Sequence, residues 1–306
     1  MPPTVSVVIP THNRRQLVLR TIHSVLVQES LDFEILVVDD GSTDGTTDAI
    51  RLLNAPRVTV LRNDQAIRVA AARNMGADAA TGAWIALLDD DDLWSPQKLR
   101  LQLAAAEGTG RRWVYAGTVE IDGCGVLLGG DPPPSSEELV NSLIDQNLMP
   151  AGCSNVVVRA DLFREVGGFD NGLRHLADWD LWLRLAHSGP PACISDPLVA
   201  YRIHSGQATL DPNGMIAEGR ILEARHGADL NSIRRWLAWS HLRRGERRLA
   251  VRAYARAALA GDVSSLGRAA VAALHSSPMT FRNRPLPGSL EWQQSAESWL
   301  RSLPER

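Results

Sequence analysis

Five apolar residues in a row, Trp84-Ile85-Ala86-Leu87-Leu88, end in four consecutive aspartates, Asp89 to Asp92. A run that is apolar at every position reads as a strand buried on both faces. Carboxylates stacked at its end repel one another unless they are solvated or share a cation. Hard divalent cations such as Mg2+ or Mn2+ take oxygen ligands, typically one or two carboxylates plus substrate phosphates. Ligands of open α/β sheets bind outside the carboxyl ends of the strands. The junction therefore combines suitable chemistry with a suitable place; a polar loop capping a strand is the plain alternative.

The preceding residues fit such a sheet. Val5–Ile9 reads as a short buried strand stopped by Pro10, and Arg14–Glu29 carries Val18, Ile22, Val25 and Leu26 at helical spacing. Strands at Glu34–Val38 and Val58–Leu61 flank a Gly/Asp/Ser/Thr loop and a helix through Asp48–Leu53. An alanine-rich helix, Ala70–Ala80, ends at Gly82. After the fourth strand, Ser95 is the expected N-cap and Pro96 the first helical residue. Four strand–helix alternations predict a doubly wound, mostly parallel α/β sheet. From Arg111 strands at Trp113–Val119, Asn155–Arg159 and Val199–Ile203 are separated by Gly/Pro loops, among them Gly129–Pro134, with a helix at Asp178–His187. Beyond Leu210 the chain reads as helical and rich in Arg, Ala and Leu. Three segments are expected: 1–110, 111–210 and a helical extension, 211–306.

A net charge of −3 gives no global polyanion signal, so no nucleic-acid partner is expected. The three cysteines, Cys124, Cys153 and Cys193, match no zinc spacing, and their sparseness fits a reducing compartment. Met1-Pro2-Pro3 leads almost at once into a strand, which predicts no signal peptide. No apolar stretch reaches the roughly 18 residues that span a bilayer. A cytoplasmic protein is expected. Between Arg234 and Arg256 there are eight arginines and one acid, Glu246, with Trp236 and Trp239 interleaved. A solvated helical pair, peripheral contact at the inner face of a membrane, and a homodimer contact all remain open for this segment.

Several motifs carry more than one reading. The loop Asp39-Asp40-Gly41-Ser42-Thr43-Asp44-Gly45 fails as a calcium loop, because its twelfth position is Arg51. It is a nucleoside pocket, with Asp39 or Asp40 accepting from a base or ribose, or an ordinary turn. A dinucleotide site wants Gly-x-Gly-x-x-Gly after the first strand, where Pro10-Thr11-His12-Asn13-Arg14 stands instead. Arg73 can pair with the acidic cluster or meet a diphosphate. Asp178 and Asp180 open a helix, which the dipole favours by itself; a general base is the functional alternative. Trp179 and Trp182 share a helix face, as core or as a platform for a sugar ring. His204, at the end of a strand, is either structural or able to complete a metal shell at Asp91.

In this order the pieces resemble the family 2 glycosyltransferases, which have the GT-A fold: a doubly wound sheet with a Rossmann-like nucleotide-binding half and an acceptor half, here with a helical C-terminal extension. The matching segments are Val5–Arg14, Ile35–Thr46, Ala72–Gly76, Leu88–Trp94, Gly167–Asp170, Ala177–Arg184 and Tyr201–His204. The resemblance implies an inverting hexosyltransferase acting on a nucleotide-diphosphate sugar, with a Mg2+ or Mn2+ ion. Pro10, Thr11 and Asp40 line the implied nucleoside pocket with Asp39 beside it. Asn13, Arg14, Arg68, Arg73, Asp89 and Asp90 extend the nucleotide-binding set. Asp89-x-Asp91 is the implied metal motif, with Asp91 touching the cation and His204 approaching it. Asp178 is the implied base, and Trp179, Asp180 and Trp182 are acceptor-side candidates. The chain departs from the family at Ala177, where an acid is common, and at Ile67-Arg68, where a glycine is common nearby. A UDP-sugar donor is the commonest choice; a glycan, a lipid-linked saccharide and a natural product all fit as acceptor. A sugar nucleotidyltransferase and a non-catalytic nucleotide-sugar-binding protein are the competing readings.

Overall fold

The computed structural model describes residues 3–29, 31–204, 211–243, 245–274 and 289–303. The chain forms two compact units: residues 1–140, 148–205 and 287–306 in one, residues 141–147 and 206–286 in the other.

The first unit begins with β1 (Val5–Thr11), α1 (Arg15–Leu26), β2 (Phe33–Asp40), α2 (Thr46–Leu52), β3 (Val58–Asn63), α3 (Val69–Ala79), β4 (Trp84–Leu87), β5 (Leu93–Trp94) and α4 (Lys98–Thr109). It continues with β6 (Trp113–Ile121), β7 (Leu127–Asp131), α5 (Ser136–Ser142, on whose length the unit boundary falls), β8 (Val157–Arg159), α6 (Ala160–Glu165), α7 (Ala177–His187) and β9 (Ala192–Arg202). The sheet order is β3-β2-β1-β4-β8-β6-β9-β5, with β7 on β6. The pairings give β1, β2, β3, β4, β6 and β9 one direction and β5, β7 and β8 the opposite one. The doubly wound, mostly parallel sheet is therefore as expected.

Side-chain alternation explains the helical cover. Val5, Val7 and Ile9 join a core with Val18, Ile22 and Val25 of α1 and Leu99 and Leu103 of α4. The opposite face is closed by α3: a Cβ built on Gly76 would lie 2.4 Å from Val8 Cγ1 and 3.1 Å from Val38 Cγ2. Helices thus cover both faces of the parallel strands, which is why those strands are apolar throughout.

Three local expectations differ from the structure. β1 continues through Pro10, which stands beside Val38 of β2. On the other side β4 pairs only with Val5–Val8, so the missing N–H of Pro10 breaks no ladder there. Helix α4 starts at Lys98 rather than Pro96; Ser95 to Lys98 is a turn closed by the Lys98 N–H on the Ser95 carbonyl at 3.0 Å. The glycine stretch expected as loop is strand β7. A Cβ on Gly130 would meet Thr118 O at 2.8 Å and Trp292 at 3.0 Å, and one on Gly117 would meet Ser195 O at 2.6 Å and Trp292 at 2.8 Å. Both glycines make room for α12 (Ser289–Ser302), which returns to the sheet. Its Trp292 and Trp299 indoles donate to the carbonyls of Ser195 and Pro197 at 2.5 and 2.9 Å.

Gly82 offers a stability test. A Cβ there would lie 2.7 Å from Ser6 N and 2.8 Å from the Val5 carbonyl carbon, both main-chain atoms inside the sheet. Gly82→Ala is expected to destabilise the protein by about 1–3 kcal/mol through overpacking. Urea unfolding should show a lower midpoint with an unchanged slope.

The second unit contains α8 (Pro212–His226), α9 (Leu230–Arg243), α10 (Arg247–Leu259) and α11 (Ser264–Leu274). Helix α10 packs against both α9 and α11. Among the described residues no helix is long and apolar enough to cross a membrane. Ser205 and Gly206, which continue the strand-end segment at His204, and Arg244 lie outside the described residues.

Candidate active site

The strand order reverses at β1, which has β2 on one side and β4 on the other. Where an open parallel sheet switches direction, the loops at the strand ends diverge and leave a crevice. The carboxyl ends of β1, β2 and β4 deliver Pro10–Arg14, Asp39–Gly45 and Asp89–Asp92 to this place.

The four aspartates have distinct surroundings. Asp89 is half-buried and receives the Arg73 guanidinium at 2.5 Å. Asp90 accepts from the Thr11 hydroxyl at 2.6 Å and from Arg14 Nη1 at 2.8 Å. Burial, reinforced by neighbouring Asp91, pushes its carboxyl up to about 6 despite Arg14. Asp91 receives Arg14 Nη1 at 2.7 Å and lies 3.0 Å from His204 Nε2. Asp92 is fully buried: it accepts from the Ser154 hydroxyl at 2.5 Å and the Arg202 N–H at 2.8 Å, and burial raises its pKa well above the ordinary value.

Asp92 is thus the internal anchor that fixes the loop, whereas Asp89, Asp90 and Asp91 pair with Arg73, Arg14 and His204. Ser154 also accepts the Asp89 N–H at 3.0 Å, and Arg202 donates through Nε to the Asp91 carbonyl at 2.8 Å. Arg202 Nη1 reaches the Asp122 and Gly123 carbonyls, both at 3.0 Å. Sequence reasoning gave Ser154 and Arg202 no role. The one available signal was strand alternation, which puts Arg202 on the same side as His204.

The second loop divides its two aspartates. Asp39 is fully buried; it accepts from the Ser42 N–H at 2.9 Å, the Thr47 hydroxyl and Arg62 at 2.8 Å. Burial opposes its charge, but the hydrogen bonds from Ser42 and Thr47 prevail and hold its carboxyl below the usual range. Asp39 therefore shapes the loop. Asp40 accepts from Asn63 at 2.9 Å and from the N–H groups of Ile67 and Arg68 at 2.8 and 3.0 Å. It orders the segment before α3, where Arg68 has φ +80° and an exposed side chain. Asn13, at φ +53°, accepts the Thr43 N–H at 2.7 Å through its side chain, while its own N–H donates to Ser42 Oγ at 2.9 Å. The first two strand-end loops are stitched together in this way.

Helix α7 brings the last group. Asp178 is half-buried at its first turn, and its Oδ1 accepts the Trp179 N–H at 2.7 Å. Burial raises its pKa; the Arg73 charge opposes this and Asp89 adds to it. Arg73 is itself buried, its guanidinium 5.2 Å from the Phe169 ring centroid, and its Nε has no hydrogen-bond partner. A buried, unpaired donor on a guanidinium already held by Asp89 can donate to an oxygen atom of a ligand.

The acceptor-side candidates are interior. Trp182 is 0% exposed and Trp179 3%. Asp180 is buried and receives Arg184 Nη2 at 2.6 Å and Nε at 2.9 Å, the ion pair expected four residues along a helix. No face of Trp182 is left for a sugar ring, because the helix period that pairs it with Trp179 turns both into the core. Among the described residues no three His, Cys, Asp or Glu side chains form a ready metal cage.

The glycosyl transferase family 2 pattern matches residues 6–167. The chain is 28% identical over 209 residues to an Escherichia coli UDP-Glc:alpha-D-GlcNAc-diphosphoundecaprenol beta-1,3-glucosyltransferase, WfgD, covering 68% of this chain and 80% of that one. It is 30% identical over 211 residues to the putative colanic acid biosynthesis glycosyl transferase WcaA of Escherichia coli K12, covering 67% and 74%. Other relatives are longer; of two of them the chain spans 34% and 35%. Residues 1–349 of S. aureus TarS, solved with UDP-GlcNAc, superpose with a TM-score of 0.58 at 15% identity, covering 99% of this chain and 82% of that one. The likeness to TarS shows a shared fold, GT-A. The chain belongs to glycosyl transferase family 2 and is a glycosyltransferase.

Proposed function

We propose that this enzyme inverts the anomeric centre of a UDP-sugar, passing the sugar to a hydroxyl of a glycan, lipid-linked or natural-product acceptor, with Asp178 as general base. The observation that carries the reading is the buried Arg73 guanidinium, held by Asp89 at 2.5 Å after β4 with its Nε unpaired, whose charge is felt by Asp178. A carboxyl whose pKa is raised by burial suits a general base, and Arg73 suits a diphosphate, which supports the reading. WfgD, by its name, uses UDP-Glc and a diphosphoundecaprenol-linked acceptor, and TarS was solved with UDP-GlcNAc; both support this donor class.

Residues 1–110 supply the donor side and 111–210 the acceptor side. Pro10, Thr11, Asn13 and Asp40 border the nucleoside, and Arg14, Arg68 and Arg73 serve the diphosphate. Asp178 removes the acceptor proton as its oxygen attacks opposite the leaving group, so one displacement inverts the centre. The residues fit a divalent cation: Asp91 offers a carboxylate oxygen and His204 a ring nitrogen, with Asp89 nearby. This leaves the remaining positions of a hard ion to phosphate oxygens and water. When bound, the ion neutralises the departing diphosphate.

Calorimetry of UDP binding tests this on the wild-type enzyme with Mn2+ and with chelator. Binding that strengthens at least about tenfold with Mn2+ is expected. Absence of UDP binding under both conditions would remove the uridine donor.

A further inference from the structure

The second unit buries Met215, Leu222, Leu230, Ile233 and Leu237, yet α9, α10 and the residues after them also carry large apolar side chains on the outside. Where α9, α10 and α11 meet, the core is built from Ala238, Tyr254 and Ala272, with Ala250 and Ala257 of α10 also fully buried. Alanines let α9, α10 and α11 approach closely, while several bulkier residues stay outside. Trp236 is 45% exposed and Trp239 44%; Leu259, Val263 and Leu266 are 89%, 72% and 58% exposed. A folded helical unit gains nothing in water from that arrangement.

Charge selects what covers this surface. Residues 141–147 and 206–286 hold thirteen arginines and seven acids, whereas the rest of the chain holds nineteen basic residues and twenty-eight acids. The basic excess is therefore confined to one unit. Arg235 is consumed by Asp229 and Asp262 at 3.0 and 3.1 Å. Arg248, Arg252 and Arg256 follow one another at four-residue spacing on exposed α10, flanked by exposed Leu249 and Leu259. None of these three has an ion-pair partner among the described residues. An arginine row beside exposed leucines, on a unit that also exposes two tryptophans on α9, matches an anionic bilayer surface, where guanidinium groups meet phosphates and indoles sit at the headgroup level. A second copy of the same face would be repelled by its charge. Nucleic acid would leave Leu259, Val263 and Leu266 without a role.

We propose that α9–α11 dock on an anionic phospholipid membrane, with Arg248, Arg252 and Arg256 on the headgroups and Trp236 and Trp239 at the interface. The inference is independent of the donor and acceptor proposed above.

Flotation of the full chain with phosphatidylcholine vesicles, with and without phosphatidylglycerol, tests it. Binding only to the anionic vesicles, weakened by added salt, is expected. Changing Arg248, Arg252 and Arg256 together to Gln should lower the partition coefficient on the order of a hundredfold, at about fivefold per arginine. These side chains are exposed, so folding should be retained, which circular dichroism checks. Trp236→Phe with Trp239→Phe should remove a vesicle-induced blue shift of the indole fluorescence. Equal binding to neutral vesicles, unchanged binding by the triple variant, an unaltered blue shift in the double variant, or equally tight binding to duplex DNA would each overturn the proposal.

Discussion

Asp178→Asn is expected to lower kcat by about 10²–10⁴ while leaving UDP affinity within about twofold of wild type. Asn keeps the shape of the side chain and an oxygen for the Trp179 N–H, so the first turn of α7 should stand. What disappears is the ability to take a proton. Burial raises the pKa of Asp178, and the ionised form is the active one. Lowering the pH should therefore extinguish kcat/KM along a limb lying above the ordinary Asp value of about 3.9. The variant should lack that limb. The stability effect has the opposite sign. A carboxyl with a raised folded-state pKa favours folding in its protonated form, and this contribution declines as pH rises from the unfolded value through the folded one. Activity and stability should thus respond to Asp178 in opposite directions. Turnover of the variant near wild type would remove Asp178 as the base.

The parallel half of the fold was legible because burial on both faces leaves an unmistakable record: apolar runs punctuated by helical spacing. The second half was less so. Strand β9 begins at Ala192, well before the expected Val199, since Asp196 and Pro197 interrupt its apolar pattern at register shifts in the pairing with β6. Strand β7 looked like loop because glycines there answer to the tryptophan of a helix far along the chain, a contact no local pattern carries. In the site, the strand-end loops could be read from residue order. The division of work among Asp39, Asp40 and Asp89 to Asp92 could not, because it depends on partners such as Arg62, Ser154 and Arg202 that are distant in sequence. The spacing of Trp179 and Trp182 left two readings open for a related reason: a helical pair of aromatics has the same spacing whether it faces a ligand or the core, and here both are buried.

Asp91→Ala is expected to abolish the Mn2+-dependent part of UDP binding and to lower kcat/KM by about 10³, the scale of several kcal/mol of charge stabilisation. The argument rests on what each aspartate already does. Asp92 is committed to Ser154 and Arg202, and Asp90 to Thr11 and Arg14. Of the four aspartates, Asp91 combines a His204 contact with a share of Arg14, so its loss removes a carboxylate and the contact that the imidazole makes with it. Arg14 keeps Asp90, and the buried Asp92 anchor still holds the loop. The unfolding midpoint in urea should therefore move little compared with that of Gly82→Ala, which separates a lost ligand from a lost fold. Titrating Mn2+ against UDP affinity in wild type and variant decides the matter. If Mn2+ strengthens UDP binding equally in both, Asp91 does not hold the ion, and Asp89 becomes the carboxylate to change next.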